Sequence, residues 1–343
     1  MTVGLYLGRD CPPNMEAYLD SLAAREDDAA FDLIIGSDCD LPAWIRHGDA
    51  FEIHRYRMED ASGISLISAC ADVVSQYVAE NDVTEVRQIT QPRWHAPGVL
   101  LGARGSGLRT CTRVSRSNFT EYMNSDGIAR CRDYAVNNLI GKAVFLADAV
   151  YTPAYGGVEI PWWSNAERIA EPRIASPSHF HPAVEAHPEL FSQDSRRVLT
   201  VGRISQKKGI DLVLDVAEEL PAWEFVLVGP KRDDELVDRA EALSNVRLEG
   251  AVDYSEMPEL YAASDVLLSA SRVEWGGISR AMLEAAAVGR PVVALDSGDA
   301  ASVATQTVDA DPQSIIDGLA EVPLPGDREE AEDVTEPSMV NTA

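Results

Sequence analysis

Short apolar runs alternate with amphipathic stretches through the second half of the chain, and this alternation constrains the fold more than any other feature. Five runs rich in valine and leucine have the length of strands: Arg197–Gly202, Phe225–Gly229, Val246–Gly250, Val266–Ala270 and Pro291–Leu295. The stretches between them carry apolar residues three and four positions apart, which indicates helices: Ile210–Leu220, Glu235–Leu243, Ser255–Ala263 and Ser279–Val288. Strand–helix alternation at this pace predicts a parallel sheet covered by helices on both faces.

The first half repeats the pattern less regularly. Its predicted strands are Val3–Leu7, Asp32–Ile35, Phe51–Tyr56, Val86–Thr90, Arg109–Val114 and Ala149–Thr152. Its predicted helices are Met15–Ala24, Ser65–Ala79, Pro97–Ala103 and Cys131–Leu146. We therefore expect two Rossmann-like domains, at residues 1–180 and 196–322, joined by a linker rich in proline and histidine at 181–195. The acidic segment 323–343 has no apolar period and is predicted to be disordered.

The charge of the chain argues against binding to nucleic acid. Its 56 acidic and 29 basic residues leave a net charge of −27, whereas phosphate contacts need a basic footprint. An acidic excess with few lysines is typical of a cytoplasm rich in salt, where a screening length of about 3 Å at ~1 M reduces self-repulsion. An ordinary acidic protein is the alternative.

The cysteines and histidines show no metal-binding spacing. The five cysteines are scattered without a Cys-x-x-Cys pair, which favours free thiols in a reducing compartment. No apolar run approaches the roughly 20 residues that span a bilayer, and the first residues do not read as a secretory leader. We expect a cytoplasmic protein without a metal cofactor.

The loop that follows the first strand of the second half carries the strongest candidate site. Residues 202–209 read GRISQKKG, and the carboxyl ends of parallel strands face the ligand crevice. Arg203 offers a planar fork for two phosphate oxygens, and Lys208 adds a point charge. The amides that begin the next helix are expected to favour the same anion. A solvated basic turn is the alternative.

A second segment, residues 271–294, combines a strand end, a glycine-bearing loop and a helix. Ser279 is expected to cap that helix. Because helical side chains lean toward the amino end, Glu284 can reach back toward the crevice, where its carboxylate could accept two ribose hydroxyls. A glutamate on the helix surface is the alternative.

These two segments resemble the retaining glycosyltransferases of the group 1 type, family 4, which have the GT-B architecture of two Rossmann-like domains facing a cleft. The resemblance covers roughly Arg197–Gly298 and extends to the first half only by layout. It implies that Gly202, Arg203, Lys208 and Gly209 match the family's Gly-Arg-x4-Lys-Gly segment, which holds the donor diphosphate. It also implies that Glu284 binds the ribose and that backbone near Val252 contacts the base.

The resemblance departs from the family at Gly276, which stands where the first glutamate of the Glu-x7-Glu motif is expected. Glu274 lies two residues earlier and is the candidate replacement, as a catalytic residue beside Arg203 and Lys208. The amides of Gly277, Ile278 and Ser279 are implied to face the donor phosphate or sugar.

A basic stretch in the first half is the candidate acceptor side. Nine basic and four acidic residues lie between Thr84 and Lys142, a local excess of five positive charges. A glycan acceptor carried on polyprenyl or dolichyl phosphate, at the inner face of a membrane, suits this charge. Ion pairs with the acidic second half are the alternative. His95 and Arg116 are the candidate acceptor-side residues.

The resemblance implies transfer of a hexose from a nucleotide-diphosphate sugar to a glycan or lipid-linked acceptor, with retention of anomeric configuration and without a metal. Two other functions stay open: a weakly active or inactive GT-B protein that binds a nucleotide sugar or scaffolds a partner, and a nucleotide-sugar epimerase. A dinucleotide oxidoreductase is disfavoured, because neither half opens with Gly-x-Gly-x-x-Gly.

Overall fold

The computed structural model describes residues 1–24, 29–58, 60–114, 118–119, 122, 127–153, 158–171, 175–176, 178–191, 195–273 and 278–323. The chain divides into two compact units. The N-terminal unit comprises residues 1–176 together with 275–278, and the C-terminal unit comprises residues 177–274 with the chain from 279 onward. Each unit is built around its own parallel sheet.

The N-terminal unit contains a seven-stranded sheet of order β3-β2-β1-β4-β5-β6-β7, in which all pairs are parallel. Its strands are β1 Thr2–Gly8, β2 Ala30–Gly36, β3 Glu52–Tyr56, β4 Glu85–Gln88, β5 Arg109–Arg113, β6 Ala149–Pro153 and β7 Glu167–Glu171. Its helices are α1 Pro13–Ala23, α2 Ala43–His47, α3 Ile64–Glu80, α4 Pro92–Gly102 and α5 Gly127–Leu139, followed by a 3-10 turn at Gly141–Leu146.

Both faces of this sheet are buried, which explains why its central strands read as continuous apolar runs. Along β1 and β2, Leu5 and Leu33 pack into the cluster on one face, whereas Tyr6 and Ile34 pack into the cluster on the other. The strand alternation of period two therefore places apolar residues on both sides.

The C-terminal unit contains a six-stranded parallel sheet of order β10-β9-β8-β11-β12-β13. Its strands are β8 Arg197–Val201, β9 Glu224–Val228, β10 Val246–Gly250, β11 Val266–Ser269, β12 Val292–Leu295 and β13 Gln306–Val308. Its helices are α6 Ile210–Glu219, α7 Asp234–Ala242, α8 Met257–Ala263, α9 Arg280–Ala287 and α10 Pro312–Glu321, with a 3-10 turn at Gln206–Lys208.

Both sheets have a topological switch point. The chain leaves β8 toward β9 and β10 on one side and returns to β11 on the other, and it leaves β1 toward β2 and returns to β4 in the same way. Ligands of open α/β sheets bind at the carboxyl ends of such strand pairs. The switch points thus direct attention to the loops after β8 and β11, and after β1 and β4.

The predicted fold class is confirmed: each half is a doubly wound parallel sheet. All eleven predicted strands are present, whereas β7, β13, α2 and α10 were not predicted. The single helix predicted over Cys131–Leu146 was wrong, because α5 ends at Leu139 and a separate 3-10 turn follows. Among the described residues, no helix is long and apolar enough to cross a bilayer.

Candidate functional site

The loop after β8 leaves the sheet through a close approach of two strand ends. The Gly202 amide donates to the Val228 carbonyl oxygen at 2.8 Å, and a Cβ at Gly229 would overlap the Gly202 carbonyl oxygen. Glycine at 229 therefore lets the ends of β8 and β9 lie side by side.

Arg203 and Lys208 lie at this edge. Arg203 is exposed, and its guanidinium makes no hydrogen bond or ion pair with any residue that the structure describes. The half-buried Lys208 folds its stem back over Gly202, with Cγ and Cδ each 3.6 Å from the position of a Cβ there. The structure thus brings the predicted residues Gly202 and Lys208 together and leaves the charge of Arg203 available.

Gly209 connects this loop to α6 and fits against β11. Its φ is +67°, and a Cβ would overlap the Ala270 carbonyl oxygen at the end of β11. The Lys208 and Gly209 amides donate to the Ser205 and Gln206 carbonyl oxygens at 3.1 and 2.9 Å. Glycine at 209, which matches the family's segment, therefore has a steric role, which is packing of the turn onto β11.

An ion pair joins the loops after β8 and β11. Arg272 donates to both carboxylate oxygens of Asp211, at 2.7 and 2.6 Å, and to the Gln206 carbonyl oxygen at 2.6 Å. Hydrogen bonding from Arg272 lowers the pKa of Asp211, which lies in the first turn of α6. The pair fixes the turn that carries Lys208 against the end of the neighbouring strand.

The first turn of α6 carries a carboxylate of its own, that of Asp211. We predicted that the amides of this helix add to the anion site, and this stays a prediction. By contrast, α9 has no acidic residue in its first turn, and Ser279 occupies its N-cap position as predicted without a capping hydrogen bond from its hydroxyl to a described residue. The amino end of α9 is therefore the better candidate for a negatively charged ligand.

Glu284 is interior rather than on the helix surface. It is 4% exposed, and its Oε2 accepts a hydrogen bond from the Tyr261 hydroxyl of α8 at 2.8 Å. Burial, and then the charge of Glu284, raise the pKa of Tyr261. The alternative of a surface glutamate is wrong, because the carboxylate is held inside the unit. Contact between Glu284 and a ribose stays a prediction.

The remaining donor-side candidates are placed only in part. Val252 is half-buried just beyond β10, at the same sheet edge and two strands from β8. Ile278 is half-buried and directly precedes Ser279. Three candidates lie outside the described residues: Arg116, Glu274 and Gly277.

The N-terminal unit has a cavity of about 300 Å³ at its own switch point. Arg9, which follows β1, lines it and donates to Asp38 at 2.5 and 3.0 Å and to Asp60 at 2.8 Å. Hydrogen bonding from Arg9 lowers the pKa of Asp38. Arg9 and Asp38 were not among the predicted site residues. The position of Arg9, directly after the glycine that ends β1, is the signal that could have identified it.

His95 lines the same cavity. Burial lowers the pKa of His95 to about 4, so the imidazole is neutral near pH 7. Its Nδ1 lies 3.4 Å from the Cys70 Sγ, which accepts a hydrogen bond from the Tyr6 hydroxyl at 2.9 Å. His95 can therefore offer a hydrogen bond to a ligand in this cavity, but not a positive charge.

Several basic residues of the stretch 84–142 form ion pairs within the N-terminal unit. Arg87 is buried against Glu85 at 2.9 Å, Arg113 pairs with Glu171 at 2.8 Å, and Arg109 pairs with Glu167. We left open whether this stretch pairs with the acidic second half. These three arginines instead pair with glutamates of β4 and β7.

Two further features lie away from these strand ends. A cavity of about 500 Å³ near Glu224 and Val246 lies at the amino ends of β9 and β10, which is the wrong sheet edge for the candidate site. Asp32, Glu52 and His54 place possible metal-ligand atoms within 4.8 Å of one another near the amino ends of β2 and β3. There, His54 Nε2 lies 3.3 Å from Asp32 Oδ2, which accepts the Tyr77 hydroxyl at 2.6 Å.

Sequence comparison agrees with the site in the C-terminal unit. Residues 195–322 match the model of the family described as glycosyl transferases group 1. The chain is 26% identical over 127 residues to the amylovoran biosynthesis glycosyltransferase AmsD of Erwinia amylovora, covering 35% of each chain. It is 32% identical over 108 residues to the lipopolysaccharide core biosynthesis mannosyltransferase LpsB of Rhizobium meliloti, covering 28% of this chain and 30% of that one. These matches span about a third of each relative's length.

Structural comparison extends over both units. Sucrose-phosphate synthase from Thermosynechococcus elongatus superposes with a TM-score of 0.69 at 18% identity, covering 94% of this chain and 89% of that one. At this identity the similarity shows the fold alone. The chain therefore has the GT-B fold, and its residues 195–322 are similar to the glycosyl transferases group 1 family.

Proposed function

We propose that this protein transfers a hexose from a nucleotide-diphosphate sugar to a glycan or lipid-linked acceptor, with retention of anomeric configuration. One observation carries the proposal. Within the segment that matches the family, Arg203 and Lys208 lie at the carboxyl end of β8, beside β11, and the Arg203 guanidinium has no partner among the described residues.

The chemistry of this reaction needs positive charge at the leaving group. When the bond between the sugar and the diphosphate breaks, negative charge grows on the phosphate oxygens. Arg203 can donate to two of these oxygens, and Lys208 can add a third contact. The amides at the start of α9 follow the loop after the neighbouring strand β11 and can donate as well. Cationic side chains would thus supply the stabilisation that a metal ion gives in other phosphate chemistry.

The anomeric configuration is retained if the acceptor attacks the anomeric carbon from the same face from which the leaving group departs. In that arrangement a leaving phosphate oxygen takes the proton of the acceptor hydroxyl as the new glycosidic bond forms. The proposal assigns no protein nucleophile. Glu274, which lies outside the described residues, is proposed to contact the donor sugar in place of the family's first glutamate.

The N-terminal unit is proposed to recognise the acceptor. Its cavity near Arg9 and His95 is lined by hydrogen-bonding groups and lies at a switch point. Because His95 is neutral near pH 7, it suits a hydroxyl better than a phosphate. A lipid-linked acceptor would bring the protein to the cytoplasmic face of a membrane.

A nucleotide-sugar-binding protein without transfer activity is the second candidate, favoured by Gly276, which stands where the family's first glutamate is expected. Loss of that carboxylate would remove a contact to the donor sugar and leave the nucleotide contacts in place. Such a protein would still bind the diphosphate through Arg203 and Lys208.

Turnover by single variants tests the proposal. We expect Arg203→Ala and Lys208→Ala each to lower the rate of nucleotide release from the donor sugar by about 10²–10³, the usual loss when one donor to a developing oxyanion is removed. Lys207→Ala is the matched control, because it removes the same charge from an exposed neighbouring residue. Circular dichroism should show all three folded.

The outcomes separate the two candidates. Wild-type turnover that survives in both site variants would exclude the assigned roles. Donor binding without turnover under any acceptor would favour the binding protein instead. The assay should be run with and without a chelator, because the proposed chemistry uses no metal ion.

A further inference from the structure

Helix α5 presents an apolar stripe to solvent. All of its 13 residues are described, and among them only Asn137 is buried. Ile128, Cys131, Ala135 and Leu139 are all exposed and lie at spacings of three and four, so they share one helix face. Ile128 is 90% exposed and Leu139 is 80% exposed. An amphipathic helix in a folded domain ordinarily turns such a stripe toward the core.

Two adjacent tryptophans extend this apolar surface. Trp162 is 94% exposed, and its neighbour Trp163 is half-exposed. Trp163 packs edge-on against Phe145 with ring centroids 6.1 Å apart, and the Ser164 hydroxyl donates to the Phe145 carbonyl oxygen at 2.6 Å. The loop that carries the tryptophans is therefore held in place on the 3-10 turn.

The helix and the tryptophan loop both pack against the same 3-10 turn. The 3-10 turn Gly141–Leu146 follows α5 directly and packs against it, and it also carries Phe145, which contacts Trp163. Leu146, at the end of this turn, is exposed as well. We call Ile128, Leu139, Leu146, Trp162 and Trp163 the apolar patch. Monomeric proteins rarely leave so many large apolar side chains exposed together without a binding role.

The charge around the patch differs from the charge of the chain. Across α5, the 3-10 turn and the tryptophan loop, the basic residues are Arg130, Arg132 and Lys142, and the acidic ones are Asp133 and Glu159. The chain as a whole carries about twice as many acidic as basic residues. This region has an excess of one positive charge, so an anionic surface repels it less than it repels the rest of the molecule, which favours one orientation.

We propose that the apolar patch docks the protein onto a phospholipid bilayer containing anionic lipids, with α5 and Trp162 entering the headgroup region. Tryptophan favours this interface because its ring is apolar and its N–H can remain hydrated. The inference deepens the proposed function, and it rests on that function for the class of acceptor, a glycan attached to a lipid. Docking would place the acceptor side of the N-terminal unit at the surface where such a lipid resides.

Vesicle co-sedimentation tests the inference. We expect the wild-type chain to bind vesicles of phosphatidylcholine mixed with phosphatidylglycerol at ~0.15 M salt, where a screening length of about 8 Å weakens the repulsion from the rest of the chain. Trp162→Ser and Ile128→Ser should each weaken binding by roughly tenfold or more, since each removes a large apolar side chain from the interface. Both residues are almost fully exposed, so neither change should affect folding. Ile64→Ser, at a 74% exposed residue of α3 outside the patch, should bind as the wild type does.

Three outcomes would overturn the inference. The first is a wild-type chain that binds no such vesicles at this salt concentration. The second is undiminished binding by both patch variants. The third is a change in oligomeric state on light scattering in the patch variants, without vesicle binding by the wild type, which would show a protein partner instead.

A separate readout keeps this inference distinct from the proposed function. Hydrolysis of the donor sugar, measured without vesicles, should be unchanged in Trp162→Ser and Ile128→Ser. Vesicle binding without any donor turnover would leave the docking surface standing while removing the transferase. Turnover without vesicle binding would support the transferase and overturn the docking surface.

Discussion

At the scale of single residues, Arg203 and Asp211 show what a local pattern can and cannot reveal. The basic loop after a parallel strand is a local signal, so Arg203 and Lys208 could be selected from the sequence. The partner of Asp211 is Arg272, which lies 61 residues further along the chain. No spacing rule connects them, so their pairing at the start of α6 could not be predicted from the sequence.

His95 gives a prediction that depends on pH. Burial lowers the pKa of His95 from 6.5 to about 4, so the folded state resists protonation more than the unfolded state does. The contribution of neutral His95 to the free energy of unfolding is complete above about pH 6.5 and is lost as the pH falls toward 4. At 1.36 kcal/mol per pKa unit, this loss is roughly 2–4 kcal/mol. We expect His95→Gln to remove this part of the pH dependence in urea unfolding.

His47 supplies the control for that experiment. It is exposed on α2, and His47→Gln should follow the wild-type pH dependence. An NMR titration that placed the His95 midpoint near 6.5 would contradict the buried environment described for this residue.

At the scale of elements, the central strands could be predicted from the sequence, whereas the edge strands β7 and β13 could not. Strands buried on both faces, such as β9, read as apolar runs that few other elements can produce. Strand β7 has the sequence ERIAE, and it holds its place through ion pairs of Glu167 and Glu171 with arginines of β5. Such pairing depends on tertiary contacts, so hydrophobic pattern alone could not find it.

The junction of the β8 loop with β11 gives a prediction about glycine. Gly209→Ala would put a Cβ into the Ala270 carbonyl oxygen at a left-handed backbone position, whereas Gly250→Ala has a similar φ of +73° and open space. We expect Gly250→Ala to lower the free energy of unfolding by about 1–2 kcal/mol, the cost of the backbone alone, and Gly209→Ala to lower it by ~3 kcal/mol or more. Chemical denaturation of both variants measures the difference, and equal losses would contradict the close packing.

At the scale of the whole molecule, net charge governs the response to salt. A chain with a net charge of −27 repels itself, and raising potassium chloride from ~0.1 M to ~1 M shortens the screening length from about 10 Å to about 3 Å. We expect the midpoint of thermal unfolding to rise over this range, steeply at first and then less. Sucrose, which stabilises without screening charge, should lack the steep early rise. A thermal midpoint that does not change, or that falls, would contradict the claim that repulsion among the negative charges of the chain destabilises the folded state.

The binding of nucleotides tests the central claim, that Arg203 and Lys208 hold a diphosphate at the end of β8. Calorimetric titration should compare nucleoside diphosphates with the matching monophosphates, using uracil, guanine and adenine bases. The account predicts that one diphosphate binds more tightly than its monophosphate. Arg203→Ala should then lower the affinity for that diphosphate by about 10–100-fold, which is the contribution of a charge-assisted hydrogen bond. Lys207→Ala should change this affinity little. Equal affinity of the wild type and Arg203→Ala for every diphosphate would contradict it.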